Sequence, residues 1–271
     1  MKNIFNTVFL LFVVIVTLTS CRNNKNGLEA NNIKGDVISF TDSVWFVNEK
    51  FGEVHKEFLE NYTKVEFNED GNITNITEYD DDGSIKNKTV RIWNGKDLAD
   101  ENYYNSDGNL ERKSSFSIGD GNIKSCITTF YNESNKVEKS SYFYTNDKVD
   151  SIISLKDGKK MTLTNSFFED ENGKGYKQVV IDYSGEKDTS IFYFDSKGRI
   201  TKMITGGDTY TYIYNDNGDL EKSTYSHFKN NYKYKYDSKG NWIERIEYEK
   251  WANQKPTIKS YTTRTIEYRK N

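Results

Sequence analysis

A seven-residue unit recurs along this chain and constrains its fold more than any other feature. Its clearest copies are Phe67-Asn68-Glu69-Asp70-Gly71-Asn72-Ile73, Tyr79-Asp80-Asp81-Asp82-Gly83-Ser84-Ile85 and Tyr104-Asn105-Ser106-Asp107-Gly108-Asn109-Leu110. Three more follow: Phe194 to Ile200 around Gly198, Tyr214 to Leu220 around Gly218, and Tyr236 to Trp242 around Gly240. Tyr131 to Val137 is a variant with Asn135 in the glycine slot. The shared pattern is aromatic, Asp/Asn, two polar residues, Gly, polar, apolar.

Each slot has a physical role. Asp or Asn at the first turn position and Gly at the fourth mark a type I turn, whose amides the Asx side chain can bond. Gly supplies the left-handed residue that completes a three-residue hairpin loop with a bulge, and Asn is the next best residue there. That loop pairs the Asp/Asn with the residue after Gly. The flanking aromatic then faces the apolar residue: Tyr236 with Trp242, Tyr214 with Leu220, Phe194 with Ile200. Such cross-strand pairs contribute roughly 0.2–1 kcal/mol each.

The segments between turns alternate as strands do. Tyr232, Tyr234 and Tyr236 share one face, opposite Lys233, Lys235 and Asp237; Tyr210, Tyr212 and Tyr214 stand opposite Thr209, Thr211 and Ile213. The expected fold class is therefore all-β, an antiparallel meander of repeated β-hairpins. After residue 20 the chain has 37 Ile, Leu and Val against 37 aromatics, and Tyr, at 20, is the commonest aromatic. So tyrosine-rich a composition favours a long curved sheet or solenoid-like shell over a compact sandwich, and leaves open sheet against closed shell undecided. The repeats are clear over 67–249 within a single domain expected at 36–271, and the stretch 143–190 is the least regular.

These units resemble the YD repeats of the RHS type. The chain as a whole resembles Gram-negative lipoproteins with degenerate YD-like repeats, which open with a segment like Glu49-Lys50-Phe51-Gly52-Glu53-Val54. RHS repeats carry an Arg-Tyr pair before the Tyr-Asp unit, whereas Lys, Tyr or Thr usually precedes it here. The resemblance implies an envelope protein and brings no catalytic residues with it.

Residues 1–20 read as an export signal: Lys2, an apolar run from Val8 to Val16, then small residues. Leu18-Thr19-Ser20-Cys21 resembles a lipobox, which implies cleavage before Cys21 and lipidation of its thiol. Arg22, rather than Asp, implies sorting to the outer membrane, and the missing acidic run implies a periplasm-facing anchor. Residues 21–35 hold five Asn and two Gly without periodicity and read as a flexible tether. No later stretch is long and apolar enough for a helical span.

Thirty-eight Lys and Arg against 41 Asp and Glu exclude a strongly basic nucleic-acid binder. With Cys21 blocked, Cys126 has no disulfide partner, and its strand-like setting reads as a buried, inert thiol. His55 and His227 lack ligand-spaced neighbours, and no catalytic or phosphate-binding motif is present. The acidic turns fail the EF-hand test, since Thr77 and Thr89 stand where the bidentate Glu belongs. No metal and no cofactor is implied. The Tyr rows, with Trp242 and Trp251, are read first as cross-strand pairs and second as a surface for a sugar ring or a protein. Asp42-Ser43-Val44 and Asp150-Ser151-Ile152 resemble acceptors that some Gram-negative bacteria O-glycosylate, at Ser43 and Ser151.

The functional expectation is a non-enzymatic, lipid-anchored binding or scaffold surface whose partner is an envelope protein or a glycan. The alternatives are an immunity or antitoxin-type lipoprotein that neutralises a secreted effector, and a glycan-binding or glycan-processing lipoprotein.

Overall fold

The computed structural model describes residues 26–50, 53–133, 135–146, 148–252 and 254–270. The signal and Cys21 lie outside them. Eighteen strands follow one another: β1 (Val37–Lys50), β2 (Glu53–Phe67), β3 (Ile73–Asp80), β4 (Ile85–Asn94), β5 (Asp97–Asn105), β6 (Leu110–Gly119), β7 (Asn122–Phe130), β8 (Lys136–Thr145) and β9 (Lys148–Lys156). They continue as β10 (Lys159–Asp170), β11 (Gly173–Ile181), β12 (Lys187–Phe194), β13 (Ile200–Thr205), β14 (Asp208–Tyr214), β15 (Leu220–Tyr225), β16 (Phe228–Tyr236), β17 (Trp242–Trp251) and β18 (Thr257–Tyr268). Each pairs antiparallel with the next, and β1 pairs with β18 from Val37↔Tyr268 to Trp45↔Tyr261. The meander is thus a closed up-and-down barrel with no free edge along most of its length, which settles shell over open sheet.

The repeat turns close as their residues dictate. Asp237 N–H donates to the Asn241 carbonyl (2.8 Å) and Gly240 N–H to the Asp237 carbonyl (3.1 Å), with Gly240 at φ 80°. Tyr236 faces Trp242, Tyr214 faces Leu220 and Phe194 faces Ile200, each beside a bulge. Asn135 takes φ 59° in the glycine slot. The stretch 143–190 is as regular as the rest. Two-residue turns at 157–158 and 171–172, built on Asp157-Gly158 and Glu171-Asn172, stand where the seven-residue unit is missing. Asp182-Tyr183-Ser184-Gly185-Glu186 is a further copy of the turn, disguised by an aliphatic Ile181 in the aromatic slot.

Period two makes one face of every strand the lumen wall. Following the register round the barrel puts Tyr210, Tyr212, Tyr214, Tyr232, Tyr234 and Tyr236 inside, with Lys233 and Lys235 outside. Two apolar clusters fill parts of the interior. One gathers Val37, Phe40, Val65, Phe67 and Ile73; the other gathers Ile123, Cys126, Tyr142, Ile152 and Leu163. Tyrosine hydroxyls tie one repeat to the next: Tyr214 donates to the Ile200 carbonyl (2.9 Å) and Tyr234 to the Leu220 carbonyl (2.7 Å).

The described part of the expected tether, residues 26–35, is docked rather than free. Helix α1 (Gly27–Ala30) begins in a capping box between Asn26 and Glu29, and Leu28 and Ile33 are buried in the first cluster. Apolar side chains at these two positions outweigh the Asn-rich composition that suggested a tether. The strap crosses one rim of the barrel and bonds three repeat turns. Leu28 N–H donates to the Gly71 carbonyl (3.1 Å), and Asn32 Nδ2 to the Asn217 carbonyl (2.9 Å). Asn241 exchanges two bonds with the Lys34 backbone, 2.7 and 2.8 Å.

At the far rim, β1 and β2 outrun their neighbours. Beyond Trp45↔Tyr261 and Asn61↔Asp80 they pair only with each other, as a free-standing ribbon.

Candidate functional site

The single-residue candidates disperse. Cys126 is buried opposite Ser140 and Phe116, with its Sγ 3.6 Å from Thr128 Oγ1. Burial pushes its thiol up, which keeps it protonated and inert. His55 is exposed on the ribbon; His227 sits in the turn before β16, edge-on to Trp251. No group of three His, Cys, Asp or Glu that could hold a metal occurs among the described residues. In the Asp80–Gly83 turn, Asp82 Oδ1 accepts from Ser84 N–H at 2.8 Å, so this carboxylate serves turn closure. Ser43 and Ser151 face outward in mid-strand, opposite Tyr62 and Phe143 respectively.

The lumen wall near the strapped rim is locked by charge. Asp42 takes a bidentate grip from Arg264 (2.6 and 2.7 Å), whose guanidinium lies 3.7 Å from the Trp242 ring centre and 4.1 Å from that of Phe40. Trp242 is only 8% exposed: it pairs with Tyr236 as first expected and serves as a structural platform, not as the accessible surface of the second reading. Further round, Arg91 and Arg112 share Glu101.

The far rim is different. Tyr210 and Tyr225 stack at 4.3 Å, Phe228 continues the row parallel to Tyr225 at 6.4 Å, and Trp251 meets Phe228 edge-on at 4.3 Å. The cross-strand pairing expected of the tyrosines holds here, but Trp251 ends the row with 44% of its surface exposed. Tyr210, Tyr225 and Phe228 line a cavity of about 320 Å³ together with Tyr212, Asn230, Glu249 and Lys259, and Trp251 stands beside it against Phe228. Lys259 ion-pairs with Glu247 (3.3 Å) and Glu249 (3.5 Å), and of these charges only Lys259 and Glu249, one of each sign, line the cavity. Burial raises the Tyr210 hydroxyl above its ordinary range, so it remains a neutral donor at physiological pH. On the ribbon, Phe46 and Phe58 stack at 4.9 Å with about half of each ring in solvent. Sequence reasoning missed Phe228, Asn230 and Lys259 because they flank turns without the repeat; the alternation Phe228-x-Asn230-x-Tyr232 was the available signal.

The outer wall mixes charge with exposed apolar side chains such as Ile92, Ile127, Leu155 and Ile213. Lys64, Lys88, Lys113, Lys139, Lys177 and Lys233 all project outward from strand interiors, beside Thr, Ser and Asn partners on most strands. A lysine at the middle of a lipid-facing barrel wall costs about 2–4 kcal/mol. The cost falls to about 0–1 kcal/mol near the interfaces, so it weighs most at the mid-strand Lys177 and Lys233. No helix among the described residues is long and apolar enough to cross a membrane.

No family model matches the chain. No curated protein matches it either. Among solved structures it is similar to a porin-like protein from Bacteroides uniformis, at 13% identity and a TM-score of 0.46, over 85% of this chain and 96% of that one. It is also similar to a porin-like protein from Bacteroides vulgatus, at 13% identity and a TM-score of 0.41, over 87% and 99% of the two chains.

Proposed function

We propose that this chain is a non-enzymatic β-barrel lipoprotein of the outer membrane, facing the periplasm, that stands in water and binds a partner at its far rim. The carrying observation is the uneven distribution of exposed aromatic surface. Trp251 and the stacked Phe46 and Phe58 are presented to solvent at the far end, whereas at the strapped rim Trp242 and Phe40 pack on Arg264 and the exposed rings of that half, Phe143 and Phe167, face opposite sides of the wall. Aromatic clusters of this kind, beside a few polar groups, are what binding surfaces use as anchors. Several lumen-wall acids are neutralised by cations, Asp42 by Arg264, Glu101 by Arg91 and Glu249 by Lys259, which supports binding over turnover.

A photocrosslinking residue placed at Trp251, and separately at Lys197 on the strapped rim, tests this in the native envelope. The expected result is a discrete adduct from position 251 and none from 197; equal yields from both, or none from 251, would overturn the reading. In parallel, Cys21→Ala is expected to leave carbonate-washed membranes, and its retention there would remove the lipid anchor.

The cavity favours a glycan as the second reading. Aromatic rings with an amide, a carboxylate and an ammonium of balanced charge suit the apolar face and hydroxyls of a sugar. Titration of Trp251 fluorescence with cell-wall oligosaccharides, lost in Glu249→Ala, is the result expected of it.

A further inference from the structure

The strap fixes where the chain leaves the barrel. Asn26 is held to the first repeat turn through its Nδ2 on the Asp70 carbonyl (2.8 Å). Glycines at three turns make room for the strap. A Cβ on Gly71 would meet Asn26 at 2.5 Å, one on Gly240 would meet Lys34 Nζ at 3.0 Å, and one on Gly218 would meet Asn32 at 3.3 Å. Both chain ends converge on this rim, for Arg269 N–H donates to the Asp36 carbonyl (2.9 Å) and its guanidinium pairs with the Asp36 carboxylate (2.9 Å). Asn26 comes only five steps along the chain after Cys21, with four residues between them. Fully extended, those five steps reach about 17 Å. Free of the barrel up to Asp36, the same chain would reach about 50 Å.

We propose that the barrel stands on the lipid bilayer by its strapped rim, with the far rim and the β1–β2 ribbon directed away from the membrane. The proposal rests on lipidation of Cys21, and what it adds is the docking face and the polarity. With the anchor within about 17 Å of the strapped rim, the nine-residue strand β16 carries the far rim higher. At about 3.3 Å per residue and a tilt near 40° the gain is about 23 Å. The ribbon adds roughly 15 Å more. The partner of the strapped rim is thus the headgroup surface of the protein's own membrane. A docked strap converts a loose leash into a short post.

The test uses the full lipidated chain in phosphatidylcholine vesicles that contain a nitroxide-headgroup quencher. Single fluorophores are attached through K197C (strapped rim), S184C (far rim) and K139C (outer wall), Cys126 being buried and unreactive. Quenching is expected to be several-fold stronger at 197 than at 184, with 139 between them. Equal quenching at 197 and 184, or strongest quenching at 139, would show a barrel that tumbles or lies on its side, and would overturn the proposal. Undocking the strap by Asn241→Ala, or by Leu28→Ala where the first variant fails to fold, is expected to shrink the contrast between 197 and 184. An unchanged contrast in a folded variant would remove the strap's role. Failure of vesicle binding, or a native mass without lipid, would instead count against Cys21 lipidation.

Discussion

Gly71 and Gly108 occupy the same slot of the repeat with nearly the same backbone, φ 76° and 77°, yet their surroundings differ. A Cβ on Gly108 meets nothing within 4 Å, whereas one on Gly71 runs into Asn26 and Leu28 of the strap. Gly108→Ala is therefore expected to cost about 1–2 kcal/mol from the left-handed backbone alone. Gly71→Ala should cost measurably more, because the strap must also move. Chemical denaturation of the two variants checks this, and equal losses would show that the strap contributes nothing at this turn. Sequence alone put both glycines in left-handed turns, since the requirement is local. It could not separate them, because what fills the space over a turn comes from a segment 45 residues away in one case (Asn26 to Gly71) and from nowhere in the other. Cys126 was legible for the same local reason, an unpaired thiol in a Thr- and Ile-rich strand; the Arg264 and Phe40 contacts of Trp242 were not, because those partners come from β18 and β1.

The hairpin is the element that repeats, and its turn carboxylates couple it to pH. Asp237 loses some hydration on burial, which by itself raises its pKa. Bonds from the Tyr268 hydroxyl and from the amides of Asn241, Lys239 and Gly240 more than compensate, and the carboxyl is held below its ordinary value. Asp195 is lowered in the same way by the amides of Arg199 and Lys197 and by the Arg199 guanidinium. A carboxyl depressed in the folded state stabilises fully above its unfolded pKa, about 3.9, and that contribution is lost as pH falls through the folded value. Acid unfolding is thus expected to set in below about pH 4, and Asp237→Asn should flatten its slope. An identical acid limb for wild type and Asp237→Asn, followed by circular dichroism, would contradict this account of the turn. Register was the most legible feature of the elements. Loop length and the Gly slot fix which residues face each other, as the Tyr236–Trp242 pair shows. The unit fails as a detector where a two-residue turn replaces it, and this is why 143–190 looked irregular while folding into ordinary hairpins.

For the whole molecule, closure turns an alternating pattern into an inside and an outside. The inner tyrosines then share one fate in alkali. Burial pushes Tyr176 up to about 12 and raises Tyr212, Tyr214 and Tyr234 as well. A tyrosine whose folded pKa is raised stabilises fully below pH 10, and the contribution is lost as pH climbs towards the folded value, at about 1.4 kcal/mol per pH unit for each such group. Tyrosinate absorbance at 295 nm is expected to rise for these rings together with unfolding, in one step above pH 10. A graded rise around pH 10 with the fold intact would mean a wetted lumen wall. Curvature itself was not legible: alternation specifies two faces but not the radius at which the sheet meets its own edge, and that depends on the β1–β18 pairing across the full chain.

The same seam has a temporal side. Val37 pairs with Tyr268, and the strap's Lys34 bonds Asn241, 207 residues later. As the chain emerges from amino to carboxyl end, the segment that appears first finds its partners among the last to arrive. The intermediate hairpins can zip up as they appear, each needing only its predecessor, but the ring stays an open sheet with two bare edges until β18 has emerged. The slow, aggregation-exposed interval in the life of this chain is therefore the wait for β18, and a holdase chaperone would have its opportunity there.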